Sequence, residues 1–402
     1  MDAFTRDVIH YSKLFNERAT FADPEFQIFI DKDINTIVDE INAAGLRIDV
    51  AALQRHIESL KKQEAESLRA FKTETERAGQ NINLSSRKDL VYWFFDFLGH
   101  TPLKVGKTGP SLDKETLDKI ATKEPTAKMY ADAKSAHSML NTLQNIQKAL
   151  RDGRVYPQHN LNKAASGRFS SSGANGDKLN VNGIPKSIRD IFAPEADEDT
   201  IVSLDYKNME GLVSAALARQ QDLIEDMNND VDLHQKLADI IGVDRKIAKI
   251  INHGVSYGMT AFGLANKIGC TEEEAEEFIE KYWQQRPRIR NLKQDVIQTA
   301  KAMGYVATIS DFRRPTRDLT DDQIWSTFVQ GSAADLFKQA LTAVSKFLKT
   351  DGSGRVLTPQ HDALVCSIKT SEIDRVLPKL KDIMEHIHPA FPLKVDVQVG
   401  QW

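Results

Sequence analysis

The sequence has few cysteines, no long hydrophobic segment and no signal-like start. Its two cysteines, Cys270 and Cys366, lie far apart in the 402 residues, which argues against a disulfide framework and indicates a reducing compartment. It contains no run of about 18 apolar residues, so no membrane-spanning helix is predicted. The first twenty residues lack the apolar stretch of a signal peptide. We therefore expect a cytoplasmic protein without a membrane partner.

Charge of either sign is also not in excess. The net charge is −4, from 53 Lys and Arg against 57 Asp and Glu. This balance excludes nucleic-acid binding through a general basic excess, so any such surface has to be local. Hydrophobic residues make up 41% and charged residues 27% of the chain, which is typical of a globular protein long enough for more than one subdomain.

The periodicity of the sequence changes along the chain. A helical pattern dominates the first third, up to about Gly153. Segment 163–185 is rich in Gly, Ser and Asn and predicts irregular backbone. The β-branched runs 200–206 and 355–369 predict strands, whereas residues 232–302 return to a helical pattern. This order predicts a central sheet that is interrupted by a helical insertion.

A basic stripe occupies segment 244–258, which reads DRKIAKIINHGVSYG. Arg245, Lys249, His253 and Tyr257 recur at a spacing of four and share one face of a predicted helix. The first three span on the order of 12 Å, about the length of a triphosphate with its sugar. Like charges at this spacing lower the stability of the helix unless a nearby anion offsets their repulsion. The stripe therefore predicts a nucleotide site, and an ordinary solvated helix face is the alternative.

Two aspartates accompany the predicted strands. Asp205 ends the run 200–206, and Asp362 follows His361 within the run 355–369. Carboxylates on adjacent strands can hold two Mg²⁺ ions, because Mg²⁺ uses few protein carboxylates and completes its shell with phosphate and water. An isolated aspartate at a strand end more often serves the backbone of a turn. The metal assignment therefore depends on the combination with the basic stripe.

Six segments occur in the order typical of family-A DNA polymerases, those like bacterial polymerase I. They are SGRFSS (166–171), LDYKNMEG (204–211), DLHQ (232–235), RKIAKIINHGVSYG (245–258), VQGSAADL (329–336) and QHDALV (360–365). The resemblance covers roughly residues 35–402 and implies an α+β right-hand polymerase fold, with an antiparallel sheet in the palm and helical fingers and thumb. The implied parts are a short lead-in at 1–34, a thumb at 35–150, a palm at 151–231 and 310–402, and fingers at 232–309.

The resemblance also implies roles at the reaction centre. Asp205 and Asp362 resemble the palm aspartates that bind two Mg²⁺ ions, for which Mn²⁺ can substitute, with the carbonyl of Tyr206 joining the first. Glu210 resembles the steric gate that excludes a 2′-hydroxyl, and a surface glutamate on a helix is its alternative. Lys249 resembles the residue that offsets leaving-group charge or donates a proton.

Further implied roles concern the nucleotide and the primer–template. Arg245, Lys249 and His234 resemble phosphate contacts, and Tyr257 resembles the residue that closes the base-pair pocket by stacking. The residues expected at the primer–template near its growing end are Arg168, Gln330 and His361. Structural alternatives stay open, namely a cap residue for His234, a helix polar contact for Gln330 and a bridge across a loop for Arg168.

The sequence departs from the family pattern at several positions. His253 stands where the family usually has Phe or Tyr, and we hypothesise that it changes discrimination against sugars that lack the 3′-hydroxyl. The ratio of dideoxy to deoxy incorporation by His253→Phe tests this, and an unchanged ratio would remove the hypothesis. Ala363 stands where an acidic residue is usual, and Asp322 and Ser326 stand where Arg and Asn face the duplex. We therefore expect a weaker or differently arranged grip on the primer–template.

The predicted function is that of a DNA-directed DNA polymerase that extends a primer 3′ end with dNTPs by two-metal phosphoryl transfer. About 34 residues precede the thumb-like region, too few for a 3′–5′ exonuclease domain. We therefore expect no proofreading in this chain; either a separate exonuclease supplies it, or the chain is a piece of a longer protein. A processivity factor is a further expected partner, and we expect a monomer in a bacterial or phage-infected cell. The alternatives are a single-subunit RNA polymerase or reverse transcriptase, against which Glu210 argues, and a degenerate DNA-binding accessory protein.

Overall fold

The computed structural model describes residues 26, 28, 30–161, 163–177, 179–400 and 402. Most of the predicted lead-in at 1–34 lies outside the described residues. The chain divides into two compact units. The main unit comprises the residues up to Gly45 together with 158–171 and 194–402, and the helical unit comprises 46–157 and 172–193. The predicted boundaries of thumb, palm and fingers stay predictions, since a division into two units does not test a division into three.

Helices and short antiparallel strands build both units, in agreement with the α+β class. The α-helices of the described residues are α1 (Ile34–Ala44), α2 (Val50–Arg77), α3 (Arg87–Val91), α4 (Lys114–Ala121), α5 (Pro125–Ala149), α6 (Met209–Leu217), α7 (Gln221–Asn228), α8 (Leu233–Ile241), α9 (Arg245–Ser256), α10 (Ala261–Ile268), α11 (Glu272–Gln284), α12 (Pro287–Met303), α13 (Asp321–Asp351) and α14 (Ile373–Glu385). The strands are β1 (Leu46–Arg47), β2 (Val105–Gly106), β3 (Gly109–Pro110), β4 (Arg154–Val155), β5 (Pro157–Asn160), β6 (Ser170–Gly173), β7 (Asp199–Tyr206), β8 (Tyr305–Ala307), β9 (Arg313–Pro315), β10 (Gly354–Gln360), β11 (Ala363–Lys369) and β12 (Val395–Val399).

The helical unit is organised by the long helices α2 and α5 and an aromatic core beside them. Each of three helices begins at a side chain that accepts a hydrogen bond from the first turn, which satisfies a backbone N–H left unpaired there. Asp49 caps α2, Ser86 caps α3 and Asp113 caps α4. The aromatic core is formed by Phe71, Trp93, Phe94 and Phe95. This first third of the chain is mostly helical, as its periodicity predicted.

The main unit is built around a four-stranded antiparallel sheet in the order β10–β11–β7–β12. Helices α6 to α12 lie between β7 and the later strands in sequence, which confirms a central sheet with a helical insertion. Two local predictions were wrong. Asp362 lies in the turn between β10 and β11 rather than within a strand, and Ser170–Gly173 forms a short strand inside a segment predicted to be irregular. Within the described residues, none of the helices has the length and apolar character that a bilayer crossing requires.

A buried histidine joins three elements of the main unit. His159 in β5 is 4% exposed, and its Nδ1 and Nε2 lie 2.8 Å from Asn42 Oδ1 in α1 and 2.8 Å from Thr358 Oγ1 in β10. Burial lowers the pKa of His159 to about 4. The neutral imidazole is therefore part of the packed structure, and its protonation opposes folding.

This histidine predicts a loss of stability in acid. Its contribution is fully present above the unfolded-state pKa of 6.5 and is lost as the pH falls toward the folded-state pKa of about 4. Over that interval we expect the free energy of unfolding to fall by about 3 kcal/mol on account of this residue. Urea unfolding across the interval should show a smaller pH dependence in His159→Gln than in the wild type. The exposed His386→Gln serves as the control, and equal pH dependence in all three proteins would contradict the prediction.

Candidate active site

The two predicted metal-binding aspartates lie at the same end of the central sheet. In the register of β7 and β11, Asp205 lies opposite Ala363, the residue that follows Asp362. The amide of Tyr206 donates a hydrogen bond of 3.1 Å to the main-chain carbonyl of Asp362. The turn that carries Asp362 includes His361, whose φ of 53° is in the left-handed region. The sheet therefore brings together two residues that are far apart in sequence.

The chemistry of this pair fits a divalent cation. Asp205 is exposed and Asp362 is half-buried, and burial raises the pKa of Asp362, although Arg168 and His361 oppose this. A partly desolvated carboxylate favours a nearby cation, because the cation offsets the cost of burying the charge. Among the residues that the structure describes, no group of three or more His, Cys, Asp or Glu side chains could hold a metal. An ion bound here would complete its shell with phosphate and water, as Mg²⁺ does.

Tyr206 contributes its main chain to this end of the sheet. Its side chain is 4% exposed, and its hydroxyl donates a hydrogen bond of 2.8 Å to the carbonyl of Met384. The ring therefore belongs to the core of the main unit. The main chain of Tyr206 pairs with Val395 of β12 on one side and contacts the Asp362 turn on the other.

Glu210 links Arg168 to the end of the basic stripe. It lies in the first turn of α6, is 8% exposed, forms an ion pair with Arg168 and accepts a hydrogen bond from the hydroxyl of Tyr257. Arg168 is also close enough to Asp362 to lower the pKa of that carboxyl. The alternative of a surface glutamate does not hold. Contacts instead run from Arg168 through Glu210 to Tyr257.

The basic stripe lies on α9, as its spacing predicted. Arg245 begins the helix, Lys249 is exposed on it, and Tyr257 follows its last residue. The sequence of α9 is strongly amphipathic at the helical period, and apolar side chains on the face opposite the stripe pack against the rest of the main unit. They are Ala248, Ile251 and Val255. Asp232 accepts a hydrogen bond of 2.7 Å from Arg245 Nε, so one of the two cations of the stripe is paired with an acidic side chain.

Two cavities flank this helix. One of about 530 Å³ is lined by Glu210 and His234 among others, and a more open one of about 1010 Å³ is lined by Arg245 and Lys249 among others. The side chains that line both are His253 and Tyr257. Cavities of this size are typical of sites for small molecules and cofactors. The stripe therefore borders enough space for a nucleotide.

His234 is held against α9 by a side-chain amide. Its Nδ1 lies 2.9 Å from Nδ2 of Asn252, and its ring centroid lies 5.4 Å from that of His253. Burial lowers the pKa of His234, and the neighbouring His253 lowers it further. The amide oxygen of Asn252 accepts a hydrogen bond of 2.8 Å from Arg286. Asn252 and Arg286 were not among the predicted site residues. An adjacent pair of polar residues in the stripe was a signal for Asn252, whereas no pattern in the sequence indicated Arg286.

The three residues expected at the primer–template adjoin the same end of the main unit. Arg168 pairs with Glu210, and His361 precedes Asp362 in its turn. Gln330 is half-buried on α13, where a Cβ on the next residue, Gly331, would lie 3.0 Å from the carbonyl oxygen of Ser166. The glycine therefore lets the helix that carries Gln330 pack closely on the loop that carries Arg168.

The positions that depart from the family pattern have local partners. Asp322 accepts a hydrogen bond of 2.7 Å from Lys293, and the hydroxyl of Ser326 donates one of 3.2 Å to the carbonyl of Gln323. Ala363 is buried opposite Asp205. An acidic side chain at position 322 is thus already compensated by a lysine of α12.

One carboxylate near the aspartate pair was not among the predicted site residues. Asp396 of β12 lies opposite Asp205 in the strand register, and its Oδ1 lies 3.1 Å from Lys207 Nζ. The alternating segment VDVQV (395–399) was the available signal, because it predicts a strand with its polar residues on one face.

Comparisons with known proteins cover most of the chain. Residues 54–402 match the model of DNA polymerase family A. The sequence is 30% identical over 406 residues to DNA polymerase I of Bacillus caldotenax, covering 92% of this chain and 45% of that protein. It is 31% identical over 399 residues to a thermostable DNA polymerase I of Thermus thermophilus, covering 92% and 47%. The chain thus spans about half the length of the curated relatives that it matches.

The fold also matches a solved structure. This is the POL domain of Pol1 from M. smegmatis in complex with DNA primer-template and dNTP. The TM-score is 0.81 at 26% sequence identity, and the match covers 92% of this chain and 69% of that one.

Proposed function

Because the chain belongs to DNA polymerase family A, we propose that it is a DNA-directed DNA polymerase that extends the 3′ end of a primer with dNTPs. One observation carries the proposal. The two aspartates lie together at the end of the sheet, the charge of Arg168 acts on Asp362, and Arg168 is joined through Glu210 to Tyr257 at the end of a cationic helix. This arrangement provides neighbouring sites for catalytic cations, for a sugar and for a triphosphate.

The proposed reaction is an in-line displacement at the α-phosphorus of the dNTP. The primer 3′-oxygen forms a bond to this phosphorus and passes its proton to a water molecule, while the bond to the bridging oxygen breaks and pyrophosphate leaves. Asp205, Asp362 and the main-chain carbonyl of Tyr206 would hold two Mg²⁺ ions, which supply activation of the attacking hydroxyl and stabilisation of the leaving group. The carboxylates orient the reacting end of the primer beside the nucleotide.

The residues of the stripe bind the incoming nucleotide in this proposal. Arg245 exchanges its contact with Asp232 for the triphosphate, and Lys249 offsets the charge that develops on pyrophosphate or donates a proton to it. His234 donates a hydrogen bond to a phosphate, and Tyr257 stacks at the nascent base pair. Movement of α9 toward a matched nucleotide would gate the reaction.

Arg168, Gln330 and His361 contact the primer–template in this proposal. Acceptors in the minor groove are shared by all base pairs, so donors placed there test the shape of the pair without reading its sequence. Binding of the duplex should weaken with salt, because most contacts go to phosphates.

The steric role of Glu210 makes a prediction about sugar selection. Its side chain is buried beside Tyr257, where it would leave no room for a 2′-hydroxyl. We expect Glu210→Ala to raise the ratio of rNTP to dNTP incorporation, measured as kcat/KM, by about 10- to 100-fold. Glu210→Gln, which keeps the volume, should retain the wild-type selection. The same ratio in all three proteins would refute the steric role.

Primer extension by the purified chain tests the proposed function itself. With a DNA template, Mg²⁺ and a labelled primer, we expect efficient extension with dNTPs and much slower extension with rNTPs. Failure to extend in either Mg²⁺ or Mn²⁺ would favour the accessory-protein alternative. A preference for rNTPs would favour a single-subunit RNA polymerase, and a preference for an RNA template would favour a reverse transcriptase.

The lack of proofreading stays a prediction, which is supported if a mismatched primer end survives incubation in Mg²⁺ without dNTPs. A monomeric state likewise stays a prediction, which size measurement in solution can test.

A further inference from the structure

The side-chain amide of Asn252 is held by groups that each have a single hydrogen-bonding role. Its Oδ1 accepts a hydrogen bond of 2.8 Å from Arg286 Nη2, and a guanidinium can only donate. Its Nδ2 donates a hydrogen bond of 3.2 Å to the carbonyl of Leu233, and a carbonyl can only accept. The orientation of the amide is therefore determined by its partners at both ends.

This orientation determines the role of the nearest imidazole nitrogen. Asn252 Nδ2 also lies 2.9 Å from Nδ1 of His234. Since the amide nitrogen is the donor, Nδ1 is the acceptor, and the proton of a neutral imidazole has to be on Nε2. The ring of His234 is kept neutral by burial, which lowers its pKa, and by its cationic neighbours. The groups that lower this pKa electrostatically are His253, Arg245 and Lys249, whereas Asp232 raises it.

Arg286 is rigidly placed for this task. Its side chain lies just before α12 and is buried, with Nη1 donating a hydrogen bond of 3.3 Å to the carbonyl of Tyr282. Its guanidinium carbon lies 4.1 Å from the centroid of the Tyr282 ring. A planar fork stacked on a ring keeps its direction, whereas the ammonium of a lysine is a point charge on a flexible stem.

We propose that Arg286 is a positioning residue that acts through Asn252 to keep His234 in the Nε2–H form, so that this N–H donates to an anionic phosphate of the nucleotide. The three side chains line the same cavity of about 530 Å³. The identity of the ligand rests on the proposed function, but the tautomer does not. A neutral donor on α8 adds no charge beside α9, which already carries Arg245 and Lys249, and the direction of the donor is set before the ligand arrives.

The tautomer can be measured directly in the nucleotide-free protein. Histidine nitrogens are labelled, and the His234 signals are assigned by their absence in His234→Gln. At mildly alkaline pH we expect a protonated Nε2 and an unprotonated Nδ1 in the wild type. In Asn252→Asp the carboxylate can only accept, so the proton should move to Nδ1. Arg286→Met frees the amide to turn over, and a population with protonated Nδ1 should appear.

Arg288→Met is the matched control, because this exposed arginine donates to the carbonyl of Arg219 rather than to Asn252. Its spectrum should equal that of the wild type. A wild type with protonated Nδ1, or an Arg286→Met spectrum identical to that of the wild type, would overturn the proposal. If Arg286→Met does not fold, Asn252→Asp decides the question by the same measurement.

Kinetics provide a second readout, which a merely structural role would not reproduce. We expect Arg286→Met to raise the KM for dNTP about tenfold with kcat nearly unchanged, because a hydrogen bond to a charged phosphate is lost from the ground state and the transition state alike. Arg288→Met should leave both constants unchanged. A fall in kcat alone would overturn the proposal. A wild type that does not extend primers would refute the proposed function and leave the tautomer measurement valid.

Discussion

Replacement of Asp205 or Asp362 by asparagine is expected to lower the rate of nucleotide addition by about 10³-fold or more. An amide keeps the shape of the carboxylate, but it lacks the charge that binds a divalent cation. The bound cation is what would lower the pKa of the attacking hydroxyl. The two residues adjoin at the end of one sheet, and each would supply one carboxylate to the bound cations, so the loss of either removes a ligand. Single-turnover extension of a primer by one nucleotide measures this step apart from DNA binding.

The matched control is Asp396→Asn. Asp396 lies opposite Asp205 on the neighbouring strand and pairs with Lys207, so its removal changes the local charge equally. We expect its effect to stay within about tenfold. Similar rates for Asp362→Asn and Asp396→Asn would contradict the assignment of Asp362 as a metal ligand.

Stability separates this loss from unfolding. Burial raises the pKa of Asp362, so in the metal-free protein the ionised carboxylate is held at a cost. Asp362→Asn removes that cost and should unfold at a urea concentration at least as high as the wild type does. Active sites typically contain residues of this kind, which lower the stability of the metal-free protein but are essential for catalysis once the cation is bound.

The elements that a local pattern encodes could be predicted from the sequence. The stripe of α9 repeats at the helical period, and apolar side chains lie on the other face. Burial of these apolar side chains packs the helix against the rest of the main unit. Asp205 follows a run of β-branched residues, and that run is a strand of the central sheet. In the helix, burial of one face leaves a single orientation for the functional side chains.

The position of Asp362 in a turn could not be predicted in the same way. The residues on both sides favour strands, and the chain reverses where His361 adopts a positive φ without a glycine to indicate it. The burial of Glu210 depends on Arg168 and Tyr257, which lie far away in sequence. The Asn252 network similarly joins α8, α9 and the start of α12. Long-range pairing of polar groups leaves no periodic signal in the sequence.

Replacement of Lys249 by methionine is expected to lower the single-turnover rate by about 10²- to 10³-fold. The exposed ammonium stands one helical turn after Arg245, in the more open cavity beside α9. In the proposed reaction, negative charge accumulates on pyrophosphate as the bond to the α-phosphorus breaks. A cation at that place therefore stabilises the transition state more than the bound nucleotide.

The kinetic constants distinguish this role from simple binding. If Lys249 acts on the leaving group, the maximal rate falls while the Kd of the dNTP changes by no more than about threefold. Lys246→Met removes an equal charge from the same helix three residues earlier and should change the rate little. If Lys249→Met instead raised only the Kd, the lysine would be a ground-state phosphate contact. The charge of the leaving group would then have to be stabilised by the bound cations and Arg245, and α9 would serve capture of the nucleotide rather than its reaction.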